Sequence, residues 1–222
     1  GCDRVVCFSL YPHAAESSTG TATRAVQEAA AQIDGLEVQV LPEYFDHPAW
    51  VDAIRAVTAP ALAAQPVDHV LFSFHGVPLS QVHESGSGGA CLKGGACSES
   101  ISDCYRTQCL TSAEAIAAAL ELAPGSWNSA FQSRLGPTKW LEPSTVDALT
   151  ALGKSGVKRL AVLAPGFAAD NLETLEELKL QGANTFIQAG GESLHVVPCL
   201  NAAPVWVEAL ASMLEPHLAD EA

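Results

Sequence analysis

A histidine followed by glycine and proline, His75-Gly76-Val77-Pro78, closes the apolar run Leu71-Phe72-Ser73-Phe74. Near pH 7 an imidazole can accept a proton or donate a lone pair to a metal. Gly76 leaves room for a close ligand, and Pro78 sets the exit of the chain. A histidine that merely caps a turn would read the same way. Asp170, Glu173 and Glu177 form a second set, at i, i+3 and i+7. On an α-helix they would make one acidic stripe, with Leu172, Leu175 and Leu178 on another side. Carboxylates beside an imidazole can pass protons and hold a divalent cation in transit. Asp170 with Glu173 three residues on is also a capping box, which would satisfy backbone N–H groups instead. Two further segments carry aromatic or polar groups suited to a ligand. Trp140 sits in a Gly-Pro loop and could stack on a flat aromatic molecule or be buried at a helix start. Tyr11-Pro12-His13 precedes the hydroxyl-rich turn Ser17-Ser18-Thr19-Gly20-Thr21, where a helix start could take a carboxylate or be capped by its own side chains.

Of seven cysteines, Cys91, Cys97, Cys104 and Cys109 crowd into one Gly-rich segment and its exit. Four thiolates on such a backbone can wrap an iron–sulfur centre. Structural zinc uses tighter Cys pairs, and only the spacing of 104 and 109 approaches them, so iron–sulfur is favoured over zinc, with disulfides or idle thiols as the remaining readings. Cys2, Cys7 and Cys199 lie in or beside apolar runs and read as core residues.

The elements that must hold these groups follow from hydrophobic periodicity. Apolar runs at 5–10, 37–41, 67–74 and 159–163, with a weaker one at 193–197, read as buried strands. Helix-period segments lie between them, at 21–31, 48–64, 112–122, 144–153, 171–180 and 204–214. Alternation of this kind predicts an α/β fold with a mostly parallel sheet covered on both faces. An Ala-Pro-rich seam at 61–66 suggests domains at 1–64 and 65–222, with a cysteine-rich insertion at about 84–109. The chain has 222 residues, with 11 Lys+Arg against 25 Asp+Glu and a formal charge of −14, so a phosphate-backbone clamp is excluded and no nucleic-acid partner is expected. No apolar run approaches the roughly 20 residues that span a bilayer.

The blocks Phe72-Ser73-Phe74-His75-Gly76-Val77-Pro78-Leu79, Phe131-Gln132-Ser133-Arg134-Leu135-Gly136-Pro137 with Trp140-Leu141-Glu142-Pro143, and Asp170-Asn171-Leu172-Glu173-Thr174-Leu175-Glu176-Glu177 resemble ferrochelatase in order and spacing. Leu10-Tyr11-Pro12-His13 with Ser18-Thr19-Gly20 is similar to the family as well. The resemblance implies two Rossmann-like chelatase domains with parallel sheets flanked by helices, the first incomplete, and about 100 further residues ahead of Gly1. It implies insertion of ferrous iron into protoporphyrin IX to give protohaem. His75 corresponds to the active-site histidine, Glu173 to its carboxylate partner, and Asp170 and Glu177 to a proton or metal path. Tyr11, His13 and Trp140 correspond to the substrate pocket. Some family members hold a [2Fe–2S] cluster in an internal segment, which implies Cys91, Cys97, Cys104 and Cys109 as ligands. A cytoplasmic enzyme is implied, with room for peripheral membrane contact and a homo-oligomer. The family pattern has a histidine where this chain has Asn171. That departure keeps open a non-catalytic tetrapyrrole-binding or iron–sulfur sensor protein, and a chelatase for another metal or for coproporphyrin is a further alternative.

Overall fold

The computed structural model describes residues 2–84 and 104–218. Two parallel sheets form. In the smaller, β1 (Arg4–Cys7) pairs with β2 (Glu37–Val40), Arg4 opposite Glu37 and Cys7 opposite Val40. Between them run a π-helical turn, Glu16–Gly20, and α1 (Thr21–Ala30). Helix α2 (Pro48–Ala63) follows β2; His47 caps it by accepting the Ala49 N–H, and Pro48 fills the first position, where no N–H is needed.

The larger sheet contains β3 (His69–His75), β4 (Trp127–Gln132), β5 (Arg159–Leu163) and β6 (Ser193–Val196). Their order is β4-β3-β5-β6, all parallel. The chain steps from β3 outward to β4, then crosses back to lay β5 on the other flank of β3. Ligands of such sheets sit beyond the carboxyl ends of the strands where the winding reverses, here at the ends of β3 and β5. Helices α3 (Leu79–Glu84), α4 (Tyr105–Ala119), α5 (Thr145–Lys154), a π-helix (Glu173–Gly182) continuing into α6 (Ala183–Gln188), and α7 (Pro204–Leu218) complete the chain.

The core explains why β3 reads as a nearly continuous apolar run. Leu71, Phe72 and Phe74 are fully buried, since both faces of the strand are covered: Phe72 and Phe74 pack with Trp50, Ile116 and Trp206, and Leu71 with Leu149, Leu178 and Phe186. Burial of each such side chain contributes about 1.5–3 kcal/mol. Besides the acidic helix, where residues 173–182 are π-helical, two further elements depart from the sequence expectation. Strand β4 is not among the expected apolar runs, because Asn128 and Ser129 interrupt the hydrophobic signal while the backbone still pairs with β3. Helix α4 begins at Tyr105 rather than 112, because part of its buried face is polar.

Candidate functional site

His75 ends β3 at the reversal of winding. Its Nδ1 lies 2.7 Å from the carbonyl oxygen of Gly76. A carbonyl only accepts, so Nδ1 carries a proton, and in the neutral ring Nε2 is then the nitrogen with the free lone pair. The backbone around it is tightly held. The Gly76 N–H donates to Gln132 O at 2.8 Å, and a Cβ at position 76 would stand 2.7 Å from that oxygen and 3.3 Å from Trp140 Cε3. Only glycine allows this approach. Trp140 donates its indole N–H to Leu135 O and packs over Gly76, and it does not border the cavities described below.

Two cavities meet at His75. A cleft of about 310 Å³ is bounded by Tyr11, His13, His75, Tyr105, Phe167 and Glu173. A wider cavity of about 590 Å³ is bounded by His75, Gln132, Ser133, Glu173, Glu176 and Glu177. His75 and Glu173 border both, so they form the wall between an aromatic chamber and an acidic one. The Phe167 ring stands 6.3 Å from the imidazole, edge-on. Gly166 and Phe167 come from the turn after β5, the second strand end at the reversal point.

The acidic stripe expected on an α-helix is divided. Residues 173–182 form a π-helix, whose i→i+5 bonding widens the turn and alters the side-chain register. Glu173 has no hydrogen bond or ion pair among the described residues and is half-buried at the shared wall. Glu177 accepts from Ser133 N (2.7 Å) and Ser133 Oγ (2.6 Å), which ties the π-helix to the end of β4. Asp170 borders neither cavity. It accepts from Cys199 N and Asn201 Nδ2, both at 2.9 Å, and its own N–H donates to Asn201 Oδ1, which latches the turn after β5 to the turn after β6. Partial burial pushes the Asp170 carboxyl up, but bonds from Cys199 and Asn201 outweigh it and hold the group below the ordinary aspartate value. The expected Asp170–Glu173 capping box is replaced by a reciprocal pair one residue on: Thr174 N donates to Asn171 Oδ1, and Asn171 N to Thr174 Oγ1. Asn171 is therefore the cap of this helix, which explains its presence without reference to catalysis.

His13 is 3% exposed, ringed by Trp50, Phe74 and Tyr105. Ser112 Oγ donates to Phe45 O at 2.6 Å, so its bond to His13 Nε2 at 2.9 Å is donated by the ring. Nδ1, near Gly166, is then the unprotonated nitrogen. Burial drops the imidazole pKa to about 3. Between that value and the ordinary one of about 6.5, the unfolded chain binds a proton that the folded chain refuses. Stability from this site is complete above about pH 6.5 and falls by up to about 1.4 kcal/mol per pH unit as pH drops toward 3. In His13→Gln, denaturant unfolding between pH 7 and 4.5 should show a shallower acid loss than in the parent; an identical slope would contradict the neutral assignment.

Of the four expected sulfur ligands, Cys91 and Cys97 lie outside the described residues. Cys104 immediately precedes α4 and Cys109 lies within its first turns; both are fully buried free thiols. Burial raises the Cys109 thiol well above its usual value. Among the described residues, no group of three or more His, Cys, Asp or Glu is arranged to hold a metal ion. Cys199 is buried as expected, Cys7 is half-buried, and Cys2 is exposed.

The residues missed in the sequence lie on α4. Tyr105 Oη donates to His75 O at 2.7 Å, Gln108 Oε1 accepts from Ala14 N at 2.5 Å, and Ser112 holds His13 and Phe45. Their i, i+3, i+7 spacing is the period of one helix face. Hydrophobic periodicity passes over it because these buried residues carry polar groups.

The family model described as ferrochelatase matches residues 1–218. A ferrochelatase of Ectopseudomonas mendocina (strain ymp) is 44% identical over 221 residues, covering 97% of this chain and 65% of that protein. One from Pseudomonas putida is 40% identical over 225 residues, covering 97% of this chain and 66% of the relative. The chain thus spans slightly less than two thirds of the length of these curated relatives. Among solved structures, SirB from Bacillus subtilis with Fe3+ aligns at TM-score 0.59 and 11% identity over 99% of this chain and 73% of that one. CbiX, described as the terminal enzyme for biosynthesis of siroheme in denitrifying bacteria, aligns at TM-score 0.59 and 16% identity, over 99% of this chain and 78% of that one. These two likenesses concern the fold.

Proposed function

Because this chain belongs to the ferrochelatase family, we propose that the protein inserts ferrous iron into protoporphyrin IX to form protohaem. The observation that carries the reading is the shared wall: His75 and Glu173 border both an aromatic cleft and an acidic cavity. Metallation removes two pyrrole N–H protons as the cation enters. A macrocycle in the cleft would meet His75 Nε2, the free lone pair of the ring. As Nε2 takes a proton, the Nδ1–H bond to Gly76 O strengthens and supports the imidazolium. Glu173 is the second acceptor, and Glu176 and Glu177 extend a carboxylate face from it for protons leaving and the hydrated cation arriving. Tyr11 and Phe167 grip the ring, His13 offers a neutral acceptor, and Trp140 supports the wall from behind Gly76. Packing that favours a bent macrocycle lowers the barrier, since the bent form is closer to the transition state. Asp170 enters this reading by holding the origin of the π-helix near β6 rather than as a proton carrier.

The reading includes a [2Fe–2S] cluster on Cys91, Cys97, Cys104 and Cys109. The soft, buried thiols of Cys104 and Cys109 at the exit of the insertion fit half of such a donor set. When bound, the cluster supplies a one-electron redox centre. A cytoplasmic location, peripheral membrane contact, self-association and a division at about residue 64 complete the proposal; among the described residues no helix is long and apolar enough to cross a membrane.

The test is to give the full-length protein, purified without oxygen, ferrous iron and protoporphyrin IX and to follow the haem spectrum. Haem formation is expected. Porphyrin binding without haem would overturn the reading in favour of a non-catalytic tetrapyrrole binder. Visible absorption of the same preparation before substrate is added reads the cluster.

A further inference from the structure

We propose that Tyr105 is a positioning residue for metallation, acting through its hydroxyl on the peptide that orients His75. The inference rests on the ferrochelatase reading and adds to it a residue on a different element. The peptide between His75 and Gly76 is pinned on both edges. Its N–H donates to Gln132 O at 2.8 Å, and its C=O accepts from Tyr105 Oη at 2.7 Å. The next carbonyl, Gly76 O, accepts the His75 Nδ1–H at 2.7 Å. Turning the first peptide would swing the second carbonyl off the ring nitrogen. The imidazole would then lose the contact that keeps its proton on Nδ1, and Nε2 would carry that proton part of the time. A protonated Nε2 in a neutral ring cannot accept from a pyrrole.

Tyr105 is suited to this task. It is 8% exposed, and the ring packs edge-on against His13 at 5.9 Å. The side chain is thereby held by packing, and the hydroxyl reaches His75 O without loss of rotamer freedom at the moment of reaction. Gln132 O is a main-chain atom of β4 and cannot be removed by substitution, so among the described residues the hydroxyl is the adjustable clamp on this peptide.

The experiment compares the parent with Tyr105→Phe, which keeps the ring and deletes one oxygen. Partners that orient a working imidazole typically alter activity about 10- to 100-fold when lost. A fall of that size in kcat is expected, with KM for porphyrin close to the parent value. The second measurement is the nitrogen-15 NMR of His75 in both proteins without substrate. The parent should show Nδ1 protonated and Nε2 bare, and Tyr105→Phe should show a mixture of the two tautomers. An unchanged tautomer, an unchanged kcat or a loss confined to KM would each overturn the role of Tyr105. A parent that forms no haem would overturn the ferrochelatase reading instead, while the nitrogen spectra still decide whether Tyr105 sets the ring.

Discussion

Substituting His75→Ala is expected to lower haem formation by about 10²–10⁴-fold, the usual range for loss of a positioned acid–base group. Little stability should be lost with it. The imidazole is half-buried, and among the described residues its side-chain hydrogen bond is to the adjacent Gly76 carbonyl, which water entering the emptied space can reach. The strand that carries it is held independently, by pairing with β4 and β5 and by the buried rings of Phe72 and Phe74. Steady-state haem synthesis and a denaturant melt of the same protein check the two halves. Unchanged turnover would remove His75 from the chemistry, whereas a large loss of stability would make it a structural residue.

Glu173→Gln should reduce turnover by about 10²-fold or more. The amide matches the carboxylate in shape, and Glu173 has no hydrogen bond or ion pair among the described residues, so no contact within them depends on its charge. What changes is its capacity to accept a proton or contact a cation at the wall between the two cavities. Glu177→Gln offers the internal comparison, since its two oxygens accept from Ser133 N and Oγ. An amide there presents one donor to two donors and should cost stability, with a smaller effect on chemistry. Equal kinetic loss in both variants would contradict the division of labour assigned to the π-helix. The comparison requires only steady-state rates and unfolding midpoints.

Much of the architecture was legible because its signals are local. The runs that became β3 and β5 have near-continuous apolar character, and the helices at 48–64 and 144–153 open on local signals, Pro48 and the N-cap Ser144. The acidic helix shows where that reading stops. Its spacing fits the α-helical period, and nothing in the residue types announces a π-helix; in the folded chain the wider turn goes with burial of Leu178 and with ties from Glu177 and Asp170 to neighbouring loops. Asn171 illustrates the same limit from the other side. As a letter it was a departure from a family pattern; in the folded chain it is half of a reciprocal cap with Thr174.

From residue order alone came the α/β class, the placement of His75 at a strand end, the pairing of that histidine with Glu173 through resemblance, and the clustering of four cysteines. Each depends on pattern along the chain, which survives without coordinates. Only the tertiary structure decided that Glu173 faces the shared wall while Asp170 latches two loops, which nitrogens of His13 and His75 carry protons, and that Tyr105, Gln108 and Ser112 brace the site from α4. Those outcomes turn on hydrogen bonds between residues distant in sequence, as with Tyr105 and His75 or Asp170 and Asn201. A side chain's available donors and acceptors are written in its type, but the partner it meets is set by how strands and helices pack.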